Sequence, residues 1–231
     1  IVRVNMREIL DQGQRESLEI PLASRSDIDA GFAKWEQVFG KDNPIPPPEK
    51  TPTDEQATCF LHALKTCEWY IDFAIFGPYG GRTLRKMRLT GRVFNDNGQL
   101  VMVEIQGPPN WHTYKGSADL VRALITMFGG MDLGTWDTYV ERIESYIREF
   151  GPEVWALLYQ TDTRTRNEQA QRKMIEGTRL KAKHDAAGLP GTHPFDPNRP
   201  YQWIFSEINK DESYWRKNFE RPAERLKLKL A

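Results

Sequence analysis

One run constrains this chain more than any other. From Leu133 to Phe150 the apolar residues Trp136, Tyr139, Val140, Ile143, Tyr146, Ile147 and Phe150 recur at three, four, seven, ten, eleven and fourteen positions from the first. That spacing lays a stripe down one side of an α-helix, and its four aromatic rings need neighbouring elements to cover them. Gly151-Pro152 stops the run, and Pro152 suits the first turn of the next helix. Taken with the segments below, this implies a mainly α fold of many helices in two lobes, with one small β-hairpin near residues 86–106.

Other helices announce themselves the same way. Ser26 with Asp29 reads as a capping box ahead of Ile28, Phe32, Trp35 and Phe39, a run that Gly40 ends, and Trp35 is expected in the core. Thr53 with Gln56 caps a second helix whose buried stripe is Ala57, Phe60, Leu61 and Leu64. Leu120 to Phe128 forms a third, closed by Gly129-Gly130. After Pro152, Val154 to Leu158 is apolar, but the chain then turns polar through TDTRTRNEQAQRK, and a solvated or interacting helix over 160–183 is expected. A Pro- and Gly-rich loop spans Ala186 to Pro200, and two amphipathic helices close the chain, with Pro222 breaking the second between Phe219 and Leu226. The tail alternates Arg225, Lys227 and Lys229 with leucines.

Domain boundaries follow composition. Residues 1–52 read as an N-terminal arm with one helix and a connector, because residues 42–52 hold five prolines and favour an extended, semi-rigid path. Residues 53–130 form a lobe with the hairpin, and 131–231 a helical lobe. Ile1 stands where Met would begin a chain, as expected of a fragment or processed product.

The β-structure is expected between Phe76 and Trp111. Arg88 to Phe94 and Gln99 to Gln106 are rich in Val, Ile, Leu and Phe, and Asn97-Gly98 between them tolerates the positive φ of a tight reversal. Trp69 to Phe76 is nearly all apolar and suits a buried strand or core segment, with Asp72 as a structural acid within it. Gly77 to Gly81 is a glycine-rich turn without the Lys-Ser/Thr of a phosphate loop. Arg82, Arg85, Lys86, Arg88 and Arg92 fall within eleven residues with no acid among them, a run that can meet phosphate.

Charge sets limits on partners. With 32 basic and 32 acidic residues the whole molecule lacks the excess of a dedicated nucleic-acid-binding domain, so any RNA contact is local. Tyr79, Trp111 and Tyr114 are candidates to stack on bases beside the basic run. Seven Trp, eight Tyr and eleven Phe argue for a packed core. No apolar run reaches membrane-spanning length and the first ten residues lack a signal-peptide pattern, which implies a cytoplasmic protein with no membrane partner.

Catalytic and metal signatures are absent from the sequence. His62, His112, His184 and His193 have no metal spacing, and Cys59 and Cys67, eight residues apart on a helix, read as free buried thiols rather than a disulfide or zinc pair. No nucleophile elbow or paired catalytic aspartates occur, and Asp162 and Glu168 are explained by surface salt links to Arg164, Arg166 or Arg172. The expectation is therefore no enzyme, no cofactor, no metal and no small-molecule substrate.

Several segments together resemble a family. SRSDIDAGFAKWEQ, PPPEKTPTDEQ, IDFAIFGPYGGRTLRKMRLTG, the Gly107-Pro108-Pro109 turn, YIREFGPEVWALLYQTDTRTRNEQ, RPYQWIF and SYWRKNFERPA are similar, in order and spacing, to the gag-position region of retroelement polyproteins of algal protists. They span most of residues 24–223. In such polyproteins this region precedes a Cys/His knuckle and then protease, integrase and polymerase parts, none of which is in this chain.

The resemblance implies a capsid-like or nucleocapsid-like subunit of a virus-like particle, a homo-oligomer in a shell or filament that packages single-stranded RNA. It implies an RNA phosphate path through Arg82, Arg85, Lys86, Arg88 and Arg92, and a subunit contact through Phe32, Trp35 and Phe39. The competing reading is a monomeric helical adaptor that docks other proteins through the arm and the 160–183 helix. A third, a hydrolase or nuclease, would require activity lost on changing a single carboxylate such as Asp72.

Overall fold

The computed structural model describes residues 23–67, 73, 88–94 and 100–230. They are mainly helical and divide into two compact units, residues 1–88 with 106–129, and residues 89–105 with 130–231. The expected arm over residues 1–22, most of Trp69–Phe76 including Asp72, the glycine-rich turn at 77–81 and the reversal at 95–99 lie outside the described residues.

The first unit is built on three helices, α1 (Arg25–Glu36), α2 (Asp54–Thr66) and α3 (Trp111–Phe128). Ser24, rather than Ser26, caps α1, its Oγ accepting from the Asp27 N–H at 3.2 Å, so the helix starts and stops earlier than expected. Thr53 and Gln56 form the expected reciprocal box, Gln56 N–H to Thr53 Oγ1 at 3.2 Å and Thr53 N–H to Gln56 Oε1 at 3.0 Å. Asn110 caps α3 by accepting from the Thr113 N–H at 2.9 Å. The third helix therefore begins well before the Leu120 to Phe128 stripe that announces it.

Ile28, Phe32 and Trp35 are buried as α1 packs on α3, and Gly31 permits the approach, since a Cβ there would meet Phe128 Cε1 at 2.3 Å. Both α1 and the proline-rich stretch pack within the first unit. An apolar stripe of this size gains by burial, roughly 1.5–3 kcal/mol per large side chain, and the prolines assist by folding into a 3-10 turn at Pro48–Lys50 against α3. Thr51 Oγ1 donates to the Pro47 carbonyl at 3.1 Å, and Thr51, Thr53 and Asp54 are buried.

The second unit contains α4 (Leu133–Phe150), a 3-10 turn (Pro152–Val154), α5 (Trp155–Arg164), a π-helical turn (Thr165–Gln169) and α6 (Ala170–Ala186). It continues with α7 (Pro200–Lys210), α8 (Glu212–Trp215), a second π-helical turn (Arg216–Glu220) and α9 (Arg221–Leu230). The α4 stripe is covered as its spacing demands. Trp136 and Tyr139 meet Phe205 edge-on at 5.8 and 5.4 Å, and Tyr146 meets Phe219 at 4.7 Å.

Strands β1 (Arg88–Phe94) and β2 (Leu100–Gln106) are neighbours in a two-stranded sheet.

Two expectations change in the second unit. Pro222 does not break the closing helix: the π-helical turn precedes it, and the Asn218 carbonyl, which Pro222 cannot reach with an N–H, accepts from Thr161 Oγ1 at 3.2 Å. The polar helix is not wholly solvated either. Thr161, Asp162, Thr165, Arg166 and Gln169 are buried, and Gly177 lies so close to Phe195 that a Cβ would sit 2.3 Å from its ring.

Candidate functional site

Of the basic run, Arg82, Arg85 and Lys86 lie outside the described residues, while Arg88 and Arg92 stand four apart on β1. The residues expected at a subunit contact, Phe32, Trp35 and Phe39, lie in the first unit. Phe32 and Trp35 are 3% and 6% exposed because their rings are used in packing the first unit, and Phe39, past the end of α1, is half-buried with its ring edge-on to Trp35 at 5.0 Å. Tyr114 is wholly buried and stacks with half-buried Trp111 at 5.6 Å, so this pair serves the core of the first unit rather than an exposed platform for bases; Tyr79 lies outside the described residues.

Both cysteines are exposed, not buried as expected. Cys59 falls on the outer side of α2, where partial desolvation and the Glu55 carboxylate raise its thiol above the ordinary value, which disfavours the reactive thiolate. Cys67 ends α2 in the left-handed conformation, φ 57°.

The residue constellation that stands out is in the second unit. Tyr139 Oη donates to Asp162 Oδ1 at 2.7 Å, and Arg166 reaches Asp162 Oδ2 from Nε and Nη2 at 3.1 and 2.9 Å. Asp162 and Arg166 are both fully buried, so the surface salt link expected for Asp162 is an interior pair held by three hydrogen bonds. Next to it, Thr165 Oγ1 bonds the Thr161 carbonyl at 2.8 Å and lies 3.2 Å from Tyr214 Oη.

Outside this buried seam, a cleft of about 370 Å3 opens between the first π-helical turn with its flanking helices and residues 211–218. Arg164, Arg172 and Lys217 supply three cations; Glu168 and Asp211 supply two carboxylates, and Tyr214, Ser213, Gln169 and Asn218 complete the lining. Arg164 and Arg172 lie 3.6 and 4.0 Å from the same Glu168 oxygen, exposed pairs of the kind worth only fractions of a kcal/mol, so both guanidinium groups can turn to another anion. Burial raises the Tyr214 phenol above its ordinary value, and the neutral phenol is a hydrogen-bond donor at physiological pH. Guanidinium, ammonium and phenol donors around one opening suit phosphate or carboxylate oxygens.

The four-residue recurrence of Arg164, Glu168 and Arg172 was visible in the sequence, but the facing segment was not. Among the described residues, no three His, Cys, Asp or Glu side chains come together as metal ligands, and no helix is long and apolar enough to cross a membrane. In comparisons with known proteins, no family model, curated protein or solved structure matches the chain.

Proposed function

We propose that this chain is a self-assembling structural subunit of gag type, capsid-like or nucleocapsid-like, that packages single-stranded RNA. The observation that carries the reading is where the resembling segments fall. They build the framework of both units: Phe32 and Trp35 on α1, Trp155 and Leu158 on α5, Tyr201 and Ile204 on α7, and Trp215 and Phe219 in the closing helix are all buried. A resemblance carried by core residues is a resemblance of build, and a build of two helical units fits a protein whose work is packing against copies of itself.

With Phe32 and Trp35 occupied internally, the subunit contact of the first unit moves to the apolar side chains it leaves outside, Val38 and Ile45 at 46% and 59% exposed, beside half-buried Phe39. Equal numbers of acids and bases let copies approach without strong mutual repulsion. The RNA path through Arg82, Arg85, Lys86, Arg88 and Arg92 belongs to the same reading.

Electron microscopy of the purified chain with and without single-stranded RNA at low salt tests it. Regular shells or filaments are expected; isolated single copies under every condition would leave the monomeric adaptor as the better account.

A further inference from the structure

We propose that the exposed face of α6, continuous with the cleft at its N-terminal end, is a track for the phosphate backbone of a single RNA strand, formed by Lys217, Arg164, Arg172, Arg179 and Lys183. The helix carries five basic residues against two acids, and the acids are engaged: Lys173 Nζ holds Glu176 at 2.9 Å and Lys181 Nζ holds Asp185 at 2.6 Å. What remains is Arg172, Arg179 and Lys183. These follow one another at intervals of seven and four residues, which on an α-helix keeps them within about 20° of one line over roughly 16 Å.

All three are exposed, and Arg172 also lines the cleft, so the row continues into Arg164 and Lys217. The result is a line of five cations, with Glu168 and Asp211 beside it at the cleft and Glu176, held by Lys173, between Arg172 and Arg179.

Charge and shape together favour a nucleic-acid strand over an acidic protein helix. A docking helix needs a groove for apolar anchors one turn apart, whereas this face offers Ile175, 71% exposed, as its single large apolar side chain. A phosphate backbone needs no such groove, only cations in sequence and a polar rim. The Tyr214 phenol and Ser213 hydroxyl supply that rim where the track enters the cleft. The choice of RNA rests on the gag-type reading; the position of the track does not.

The test is fluorescence anisotropy of the full chain with a labelled oligouridylate of about 20 nucleotides, longer than the ~16 that one single-strand groove occupies. The track's five phosphate contacts, at about 0.7 each, contribute about 3.5 to the slope of log affinity against log salt between about 50 and 200 mM, in addition to any contacts of the basic run. Arg179→Gln with Lys183→Gln, exposed positions that leave the helix intact by circular dichroism, should reduce that slope by about 1.4.

An unchanged slope in this variant overturns the track, as does loss of binding confined to Arg85→Glu with Arg88→Glu. Absence of salt-dependent RNA binding by the unmodified chain overturns it as well. Tighter binding of an acidic peptide of equal charge at the same salt overturns the choice of RNA. Light scattering on the same samples reports assembly separately: particles without RNA on α6 would sink the track alone, and RNA on α6 of a strictly monomeric chain would sink the assembly reading alone.

Discussion

Arg166 sets both Nε and Nη2 on one oxygen of Asp162, a single turn earlier in the chain, at 3.1 and 2.9 Å, with neither residue reached by solvent. Both lie in the interior of the second unit, and Tyr139 on α4 secures the second oxygen. Removing one partner strands the other in the interior. Arg166→Met should cost about 3–5 kcal/mol in urea unfolding, whereas Arg166→Met combined with Asp162→Leu should recover most of that loss. Equal losses in the single and double variants would show that packing, not an uncompensated carboxylate, governs this position.

Tyr146 on α4 donates to Glu220 at 2.8 Å, and its phenol is raised well above the ordinary value, first by burial and then by that bond. Because the folded state holds the proton more tightly than the unfolded state, the contribution is fully present below the ordinary tyrosine value near 10 and declines as pH rises above it. Stability should therefore fall with pH above about 10, and Tyr146→Phe should flatten that decline. Melting curves between neutral and strongly alkaline pH, with and without the substitution, would reveal it.

The close passage of α1 over α3 predicts a specific glycine effect. Gly31→Ala would gain about 1 kcal/mol in helix propensity but would force the Phe128 ring aside, an overpacking cost of about 1–3 kcal/mol. The net result should be a lower urea midpoint, restored by adding Phe128→Leu. A Gly31→Ala protein more stable than the parent would contradict the tight packing seen at Phe128 Cε1.

Helices with strong local signals were legible. The α4 stripe gave its helix from Leu133 to Phe150, and the Thr53–Gln56 box gave the start of α2, because capping and periodicity are properties of a few neighbouring residues. Boundaries set by tertiary structure were not. Ser26 looked like a cap, but Ser24 was the residue placed to accept the first free N–H of α1. Pro222 looked like a break because the partner that makes it tolerable, Thr161, is far away in the chain.

The candidate site was legible only in part, and for the same reason. Arg164, Glu168, Arg172, Arg179 and Lys183 read as a solvated helix face, and Asp162 and Arg166 read as part of it. Two features separate them. A π-helical turn shifts the register of the helix at Thr165–Gln169, and residues 211–218 fold back along it to form the cleft. Neither follows from composition.

The central claim is that copies of this chain associate, and the most direct measurement is molar mass by light scattering across a concentration series, for the parent and for Val38→Asp with Ile45→Asp. Both positions are exposed, so the substitutions should leave the circular dichroism and melting curve unchanged. The account expects a parent mass that climbs with concentration to many times that of one 26.8 kDa chain, and a variant that stays far smaller. A parent that remains at the mass of one chain at every concentration, with or without RNA, would contradict it.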